Sequence, residues 1–295
     1  MTGPKNALAA ALLSLVSVIW GGSFIAARIA LRELSPVSLA TLRFGLVAVF
    51  FLFVLAALPR YRAPWRSLPR LMFFGLLAVT FYFILQYGGV ARTSASLSAV
   101  VITLSPLVVV LLSRAFLHES LTASQIAGIV LATAGALLLV TRGSLEVGGS
   151  DYWLGILFLV LDVLAWGVYN IIGKRALHVQ HPTTLTSYMM ILGALGLIPF
   201  AIADGGLAAV PHLSASAWAA VAYLVILSTI VAYLAYNYAL QILPASRAGV
   251  FQYLNPVAAV LFAHLLLSEP LTIVTVIGGS LAIGGVYLVN RHLDA

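Results

Sequence analysis

Residues 152–173 read YWLGILFLVLDVLAWGVYNIIG, an apolar run long enough to cross a bilayer as one helix. The run nevertheless holds the carboxylate of Asp162 near its middle. A carboxylate at that depth is costly unless it meets water or a polar partner, so it is a candidate for function. At about 100° of rotation per residue, one stripe about 40° wide carries Asp162, Trp166, Tyr169 and Gly173. The run therefore predicts a membrane helix with one face on a polar cavity.

The whole chain has the composition of an integral membrane protein. Of its 295 residues, 62% are hydrophobic and 8% are charged, whereas soluble domains carry about 25% charged residues. Cysteine is absent, which excludes thiol nucleophiles, disulfides and cysteine-ligated metals. The net charge of +7 fits the loop bias that orients membrane proteins, and we do not interpret it as a nucleic-acid site.

Further apolar runs, separated by short polar connections, predict an all-α polytopic membrane protein with ten transmembrane helices. Pro36 and Pro182 follow polar residues and mark helix starts. The polar, glycine-rich stretch 142–151 predicts a central linker. The ten predicted helices span residues 7–27, 35–57, 71–90, 94–116, 122–141, 152–173, 181–203, 215–240, 248–267 and 271–290.

The two halves of the chain repeat one another. The pair Trp20-Gly21 recurs as Trp166-Gly167, 146 residues later, and Pro106 recurs as Pro256, 150 residues later. Each half holds five predicted helices, and an odd number inverts the second half in the membrane. We therefore predict two inverted five-helix repeats, residues 1–143 and 152–295. Inverted repeats with a site at their interface are typical of secondary transporters.

Positive charges in the connections predict the orientation. With a cytoplasmic N-terminus, ten Lys and Arg residues fall on the inner side and four on the outer side, and Arg43 lies inside a helix, which accounts for all fifteen. Because cytoplasmic loops carry the excess of Lys and Arg, both termini are predicted to be cytoplasmic.

Short motifs in both halves resemble the drug/metabolite transporter superfamily, and within it the ten-helix exporters of the EamA type. The first half carries IWG at 19–21, TLRF at 41–44, SP at 105–106 and ESLT at 119–122. The second half carries WGVY at 166–169, NP at 255–256 and SEPLT at 268–272. The resemblance covers nearly the whole chain. It implies an exporter of amino acids or related small metabolites in the inner (cytoplasmic) membrane.

One set of residues looks most like the aromatic amino-acid exporters within that superfamily, whereas Arg43 and Ser105 look more like the general family. The set comprises Trp166, Tyr169, Lys174, Tyr233, Tyr236, Asn237, Tyr253 and Pro256.

The candidate substrate site collects aromatic and polar side chains that are predicted to line a cavity. Tyr and Trp offer apolar area together with a hydrogen-bonding tip, which suits a small amphipathic ligand. Arg43 is a candidate for holding a substrate carboxylate. The predicted substrate-binding residues are Trp20, Arg43, Tyr82, Gln86, Trp166, Tyr169, Tyr233, Asn237 and Tyr253.

Asp162 is the candidate for coupling transport to protons, and a structural ion pair with Arg43 is the alternative. At about 1.5 Å per residue, both residues are predicted to lie at similar depths from the outer side. Pro106 and Pro256 are predicted to kink two helices at matching positions, because proline removes a backbone hydrogen bond.

The resulting prediction is a secondary-active or facilitative transporter that works by alternating access. Multidrug or lipophilic-compound efflux is the alternative. An intramembrane lipid-modifying enzyme is less favoured, because a single buried carboxylate does not form a catalytic cluster. We therefore expect no enzyme activity, no cofactor and no metal. The expected partners are a small-molecule substrate and membrane lipid, but not nucleic acid, and the oligomeric state stays open.

Overall fold

The computed structural model describes residues 4–90, 92–93, 95–141, 152–267 and 271–291. Within these ranges the ordered elements are all helices, with no strand. Two features named from the sequence lie outside the described residues. They are the linker at 142–151 and the first part of the motif at 268–272.

Ten long helical segments follow one another within the described ranges, with short 3₁₀ helices at Pro59–Tyr61 and Gly206–His212 between them. They are α1 (Pro4–Ala30), α2 (Pro36–Ala57), α3 (Trp65–Val90), α4 (Ala95–Thr103 and Ser105–Leu117), α5 (Ala123–Val140), α6 (Tyr152–Ala176), α7 (Pro182–Asp204), α8 (Ala215–Ile242), α9 (Ala245–Val250, the 3₁₀ turn Phe251–Tyr253, and Leu254–Leu267) and α10 (Ile273–Asn290).

Nine of these segments, counted over the described residues, are long and apolar enough to cross a membrane. The all-α polytopic class is therefore confirmed. The predicted tenth span, α9, is not among the nine, and the ten-helix count is not confirmed. A 3₁₀ turn interrupts α9, and its longest continuous helix, Leu254–Leu267, has 14 residues, fewer than the roughly 20 that a span needs.

Local hydrogen bonds explain where several helices begin. The hydroxyl of Ser35 accepts a 3.1 Å hydrogen bond from the backbone N–H of Ser38, next to the proline that opens α2. Thr122 and Gln125 form a reciprocal capping box at the start of α5, with bonds of 2.9 and 3.2 Å. These bonds satisfy backbone donors that a helix start leaves without an intrahelical partner.

The helices of the two halves interlock rather than forming separate bundles. In the first half, α1 packs against α8 and α9 of the second, and α6 packs against α3 and α4 in the equivalent way. Two further contacts join α2 to α7 and α5 to α10. A space lined by residues of α1 to α6, α8 and α9 is consequently walled by both halves.

The contact between α5 and α10 depends on glycines that face one another. A Cβ atom on Gly128 would lie 2.8 Å from the carbonyl oxygen of Gly285, and one on Gly135 would lie 2.6 Å from that of Gly278. Both distances are too short for real Cβ contacts, so the two backbones approach more closely than larger residues would permit.

Two π-helical turns occur in the described part of the chain, at Leu76–Phe81 within α3 and at Ile226–Val231 within α8. They lie 150 residues apart, the same spacing that separates Pro106 from Pro256. A π-turn places one extra residue in a helical turn, and such turns are frequent at functional sites. The turn in α8 contributes Ser228 to the cavity described next, and Tyr82 and Phe83, directly after the turn in α3, line the same cavity.

Candidate functional site

A cavity of about 320 Å³ lies between the two halves. Its lining residues on α1, Trp20, Ser23 and Phe24, lie in the half of that helix that leads to Glu33 in the α1–α2 connection. We call this end of the bundle the Glu33 end. The opposite end, near Lys174, is the Lys174 end. The lining includes eight of the residues singled out from the sequence: Trp20, Arg43, Tyr82, Gln86, Pro106, Trp166, Tyr233 and Pro256.

Arg43 places a buried guanidinium, 6% exposed, on one wall of the cavity. Its Nε donates a 2.7 Å hydrogen bond to the hydroxyl of Thr229, and its Nη2 donates a 3.2 Å bond to that of Ser228. Both hydroxyls come from the π-turn of α8. The guanidinium carbon also lies 5.1 Å from the ring centre of Phe44 and 5.4 Å from that of Phe83. Neutral hydroxyls and aromatic rings position the Arg43 side chain, and none of them neutralises its positive charge.

Five aromatic rings close the cavity towards the Lys174 end, and we call them the aromatic floor: Trp20, Trp166, Tyr169, Tyr233 and Tyr236. The centre of Trp20 lies 5.6 Å from those of Trp166 and Tyr233, and 5.4 Å from that of Tyr236. Trp166 stacks on Tyr169 at 4.8 Å. These separations are in the favourable range for aromatic pairs, so the floor is a stable apolar surface.

The π-turn of α8 also fixes the position of Trp20. The indole Nε1 of Trp20 donates a 3.0 Å hydrogen bond to the backbone carbonyl of Ser228. This bond joins α1 to α8 across 208 positions of sequence. The same turn therefore orients both Trp20 and Arg43 around the cavity.

A buried hydrogen-bond network fills the space on the Lys174 side of the floor. The hydroxyl of Tyr169 donates to Asn237 Oδ1 at 2.8 Å, and Asn237 Nδ2 donates to the hydroxyl of Thr186 at 2.9 Å. Tyr236 donates to Asn170 Oδ1 at 2.6 Å. Tyr169 and Asn237 thus lie outside the cavity lining, and direct contact of either with a substrate stays a prediction.

The remaining predicted residues are placed as follows. Tyr253 also lies outside the lining, with its hydroxyl 2.6 Å from that of Thr133 in α5. The α4 helix breaks at Leu104, between Thr103 and Ser105 and two residues before Pro106. Pro256 is the third residue of the helix that follows the 3₁₀ turn of α9.

Polar contacts join the helices at the Lys174 end. Lys174 Nζ donates to the backbone carbonyls of Leu240, in the last turn of α8, and Leu243, just after it, at 2.8 and 2.7 Å. The carboxylate of Glu119 accepts from the backbone N–H groups of Ala245 and Ser246, at 2.7 and 2.9 Å, where α9 begins. The α8–α9 junction is therefore tied to α6 and to the α4–α5 connection.

At the Glu33 end, the contacts of two carboxylates join the two halves. The carboxylate of Glu33 accepts a 2.8 Å bond from the backbone N–H of Ser214 and a 2.5 Å bond from its hydroxyl. These bonds lower the pKa of the Glu33 carboxyl, because they stabilise its charged form. Asp204 accepts from the hydroxyls of Ser35 and Ser38.

Asp162 is 1% exposed, and within the described residues neither of its oxygens has a hydrogen-bond partner. The ion pair considered between Asp162 and Arg43 is not formed here, because the guanidinium turns to Ser228 and Thr229. Gln86 of α3 is the polar side chain that faces the carboxyl, without hydrogen-bond geometry. The similar depths predicted for Arg43 and Asp162 therefore did not make the two residues partners.

Two cavity residues hold buried polar atoms that have no hydrogen-bond partner in the described part of the chain. They are the Nε1 donor of Trp166 and the Oδ1 acceptor of Asn255. Such atoms are rare in native interiors, and at a cavity wall they can bind a ligand. The sequence marked Asn255 only as part of a motif, and it gave no signal for Ser228.

Apolar helices from both halves of the chain form the walls of one cavity. This arrangement is that of a polytopic membrane transporter, which is the class of this protein. Residues 7–141 and 153–291 each match the model of the EamA-like transporter family. The chain belongs to this family, as the resemblance implied. Within the described ranges, no group of three or more His, Asp and Glu residues is placed to hold a metal ion.

Several relatives resemble the chain over nearly its whole length. An uncharacterized transporter of Archaeoglobus fulgidus is 34% identical, covering 95% of this chain and 97% of the relative. A probable terminal-alkyne amino-acid exporter of Streptantibioticus cattleyicolor is 28% identical, covering 95% and 92%. A probable amino-acid metabolite efflux pump of Escherichia coli is also 28% identical, covering 93% and 92%.

The fold also resembles a protein of known crystal structure. The TM-score is 0.82 at 20% identity, covering 97% of this chain and 99% of that chain. At this level of identity the likeness concerns the fold alone.

Proposed function

We propose that this protein exports amino acids, in particular aromatic ones, or related small metabolites across the cytoplasmic membrane by alternating access. The observation that carries the proposal is the pairing of one buried guanidinium with an aromatic floor in a single cavity. Arg43 would bind the carboxylate of an amino acid, and the rings of Trp20 and Trp166 would stack against its side chain. Relatives named as amino-acid exporters support this substrate class.

The size of the cavity supports a small substrate. Its volume of about 320 Å³ is at the lower end of the roughly 300–1,000 Å³ typical of small-molecule sites. A buried cation is also a poor neighbour for a cationic drug. Multidrug efflux therefore remains the second candidate, supported by the largely apolar lining, and an intramembrane enzyme is less favoured than either.

The proposed cycle moves the cavity between the two ends of the bundle. In this structure the cavity lies at the Glu33 end, while Lys174 and Glu119 hold the other end together. We propose that both termini are cytoplasmic, so that the Lys174 end faces inward and this arrangement represents the outward-facing state. The reverse state would break the Lys174 and Glu119 contacts and add further contacts at the Glu33 end to those of Glu33 and Asp204.

Transport by purified protein in proteoliposomes tests the proposal. The panel contains phenylalanine, glycine, phenethylamine (phenylalanine without its carboxylate) and the lipophilic cation tetraphenylphosphonium. We expect wild-type protein to move phenylalanine faster than phenethylamine, and Arg43→Ala to lose that preference. Movement of tetraphenylphosphonium without any amino acid would replace amino-acid export with multidrug efflux.

A further inference from the structure

Substrate binding alone does not explain why the carboxyl of Asp162 is buried where it is. It does not line the cavity, it is 1% exposed, and its oxygens have no hydrogen-bond partner in the described residues. A permanently charged group in that position is costly in a membrane. A group that gains and loses a proton during the cycle has a reason to be there.

Gln86 links this carboxyl to the cavity. Its Nε2 donates a 2.9 Å hydrogen bond to the hydroxyl oxygen of Tyr82, one helical turn away in α3. Gln86 also faces Asp162, and both Tyr82 and Gln86 line the cavity. The three side chains therefore form a row from the protein interior to the substrate space.

The titratable groups near Asp162 are two phenols of the cavity wall, and one of them, Tyr82, belongs to this row. Among the described residues, the titratable groups that interact with Asp162 are Tyr82 of α3 and Tyr233 of α8. No cation is among them, since Arg43 bonds to the π-turn of α8.

We propose that Asp162 is the proton-binding residue of this exporter, and that Gln86 passes its protonation state to the Tyr82 hydroxyl by reversing its amide. This inference rests on the proposed function and adds its coupling. When Asp162 is protonated, its O–H donates to Gln86 Oε1, and Gln86 Nε2 donates to Tyr82, as observed for the second bond. The Tyr82 O–H then points into the cavity.

When Asp162 is ionised, the amide turns over. Gln86 Nε2 donates to the carboxylate, Gln86 Oε1 accepts the Tyr82 hydroxyl, and the cavity meets the lone pairs of the phenol oxygen. Those lone pairs, with the carboxylate behind them, favour the ammonium group of an amino acid whose carboxylate lies on Arg43. The protonated state presents a donor to the same ammonium and weakens its binding.

Proton and substrate therefore compete for one carrier, although they bind at different atoms. Negative coupling of this kind is reciprocal, because each ligand lowers the affinity for the other. A proton taken up at Asp162 from the outside releases the substrate there. The same proton leaves to the cytoplasm before the next substrate binds, so one proton enters as one substrate leaves.

Two measurements test the relay, and the first needs no substrate. Infrared difference spectra of the purified protein across a pH titration should show the carbonyl band of a protonated carboxylic acid. We expect the band to vanish in Asp162→Asn, to shift in Gln86→Leu, and to stay in Glu33→Gln, which alters an exposed carboxyl. A titrating band that persists unchanged in Asp162→Asn overturns the proposal.

The second measurement is exchange of labelled for unlabelled phenylalanine in proteoliposomes at equal pH on both sides. As the pH falls and Asp162 becomes protonated, the half-saturating phenylalanine concentration of the wild-type protein should rise by up to roughly tenfold per pH unit. In Asp162→Asn exchange should continue without that pH dependence. If phenylalanine exchange by Asp162→Asn kept the pH dependence of the wild-type protein, the proposed relay would be overturned. Absence of phenylalanine exchange in wild type overturns the proposed substrate, while the infrared result still decides the relay.

Discussion

The Nε of Arg43 in α2 donates a 2.7 Å hydrogen bond to the hydroxyl of Thr229, 186 residues away in the π-turn of α8. The Thr229 hydroxyl in turn donates its only hydrogen to the carbonyl of Leu224, five residues earlier, at 2.7 Å. Thr229 can therefore only accept from Arg43, which fixes the guanidinium plane. A cation held in this way has hydrogen-bond donors left for a substrate carboxylate.

Thr229→Val should weaken the binding of carboxylate substrates, because Arg43 loses a charge-assisted acceptor and its fixed orientation. Hydrogen bonds to charged groups contribute about 1.5–3 kcal/mol, so the half-saturating concentration of phenylalanine should rise roughly tenfold or more. Thr229→Ser keeps the hydroxyl and is the matched control. Transport assays with phenylalanine and phenethylamine measure the effect. An equal loss for both compounds would assign Thr229 a general structural role.

Asn237→Leu should destabilise the protein while leaving substrate affinity nearly unchanged. The substitution leaves the buried hydroxyls of Tyr169 and Thr186 without their partner, which costs about 1–3 kcal/mol. Thermal unfolding in detergent measures the stability, and phenylalanine exchange measures the affinity. Tyr82→Phe, on the cavity wall, should show the opposite pattern. If Asn237→Leu instead lowered the affinity for phenylalanine and kept the wild-type stability, the prediction that Asn237 contacts the substrate would be supported.

Gly135→Ala should lower the free energy of unfolding by about 1–3 kcal/mol, the usual cost of overpacking. The new methyl group would meet the backbone of α10 at Gly278. Gly45→Ala is the matched control, because nothing lies within 4 Å of its added Cβ in α2. That change should be neutral or stabilising by up to about 1 kcal/mol, through helix propensity. Similar unfolding temperatures for the two variants would show that α5 and α10 can separate freely.

Lys174→Met should make the Lys174 end open more often, because the carbonyls at the end of α8 lose a shared donor. The chain contains no cysteine, so a single Gly173→Cys change reports access to water. Its labelling by a water-soluble thiol reagent should become several-fold faster in Lys174→Met. Lys5→Met, which also removes one positive charge but outside these contacts, is the control. An unchanged labelling rate would show that contacts other than those of Lys174 keep this end of the bundle closed to water.

The Glu33–Ser214 contact should make part of the stability depend on pH. Because Ser214 lowers the pKa of Glu33 in the folded protein, the contribution is present above the unfolded pKa of about 4.3. It is lost as the pH falls through the lower, folded pKa. The difference between the unfolding temperatures of wild type and Ser214→Ala should therefore become smaller at acidic pH, down to the part that helix capping by Ser214 contributes. A constant difference between them at all pH values would assign the effect of Ser214 to helix capping alone.

The helical class and much of the cavity wall could be predicted because apolar runs leave few roles for polar residues. Arg43, Trp20 and Trp166 interrupt such runs, and each borders the cavity. Helical periodicity gives the direction of a side chain, but it does not show which side of a ring layer that side chain occupies. For this reason Tyr169 and Asn237 were grouped with the cavity, although Tyr169 belongs to the aromatic floor without lining the cavity and Asn237 lies beneath that floor.

The π-turns lie beyond what this sequence could reveal. Their formation depends on a small difference between hydrogen-bond registers, which side-chain periodicity does not record. Ser228 and Thr229 are ordinary small polar residues in an apolar helix, and only the π-turn directs both hydroxyls to Arg43. The partner of Arg43 was therefore sought among carboxylates.

The neutral surroundings of Arg43 have an electrical consequence. Among the described residues no carboxylate balances its charge, so the empty site of the proposed carrier is positive when Asp162 is protonated. Moving one elementary charge through a membrane potential of 100 mV changes its energy by about 2.3 kcal/mol. A negative cell interior would then draw the unloaded, protonated site inward. The membrane voltage would thus drive the return step of export, in addition to the proton gradient.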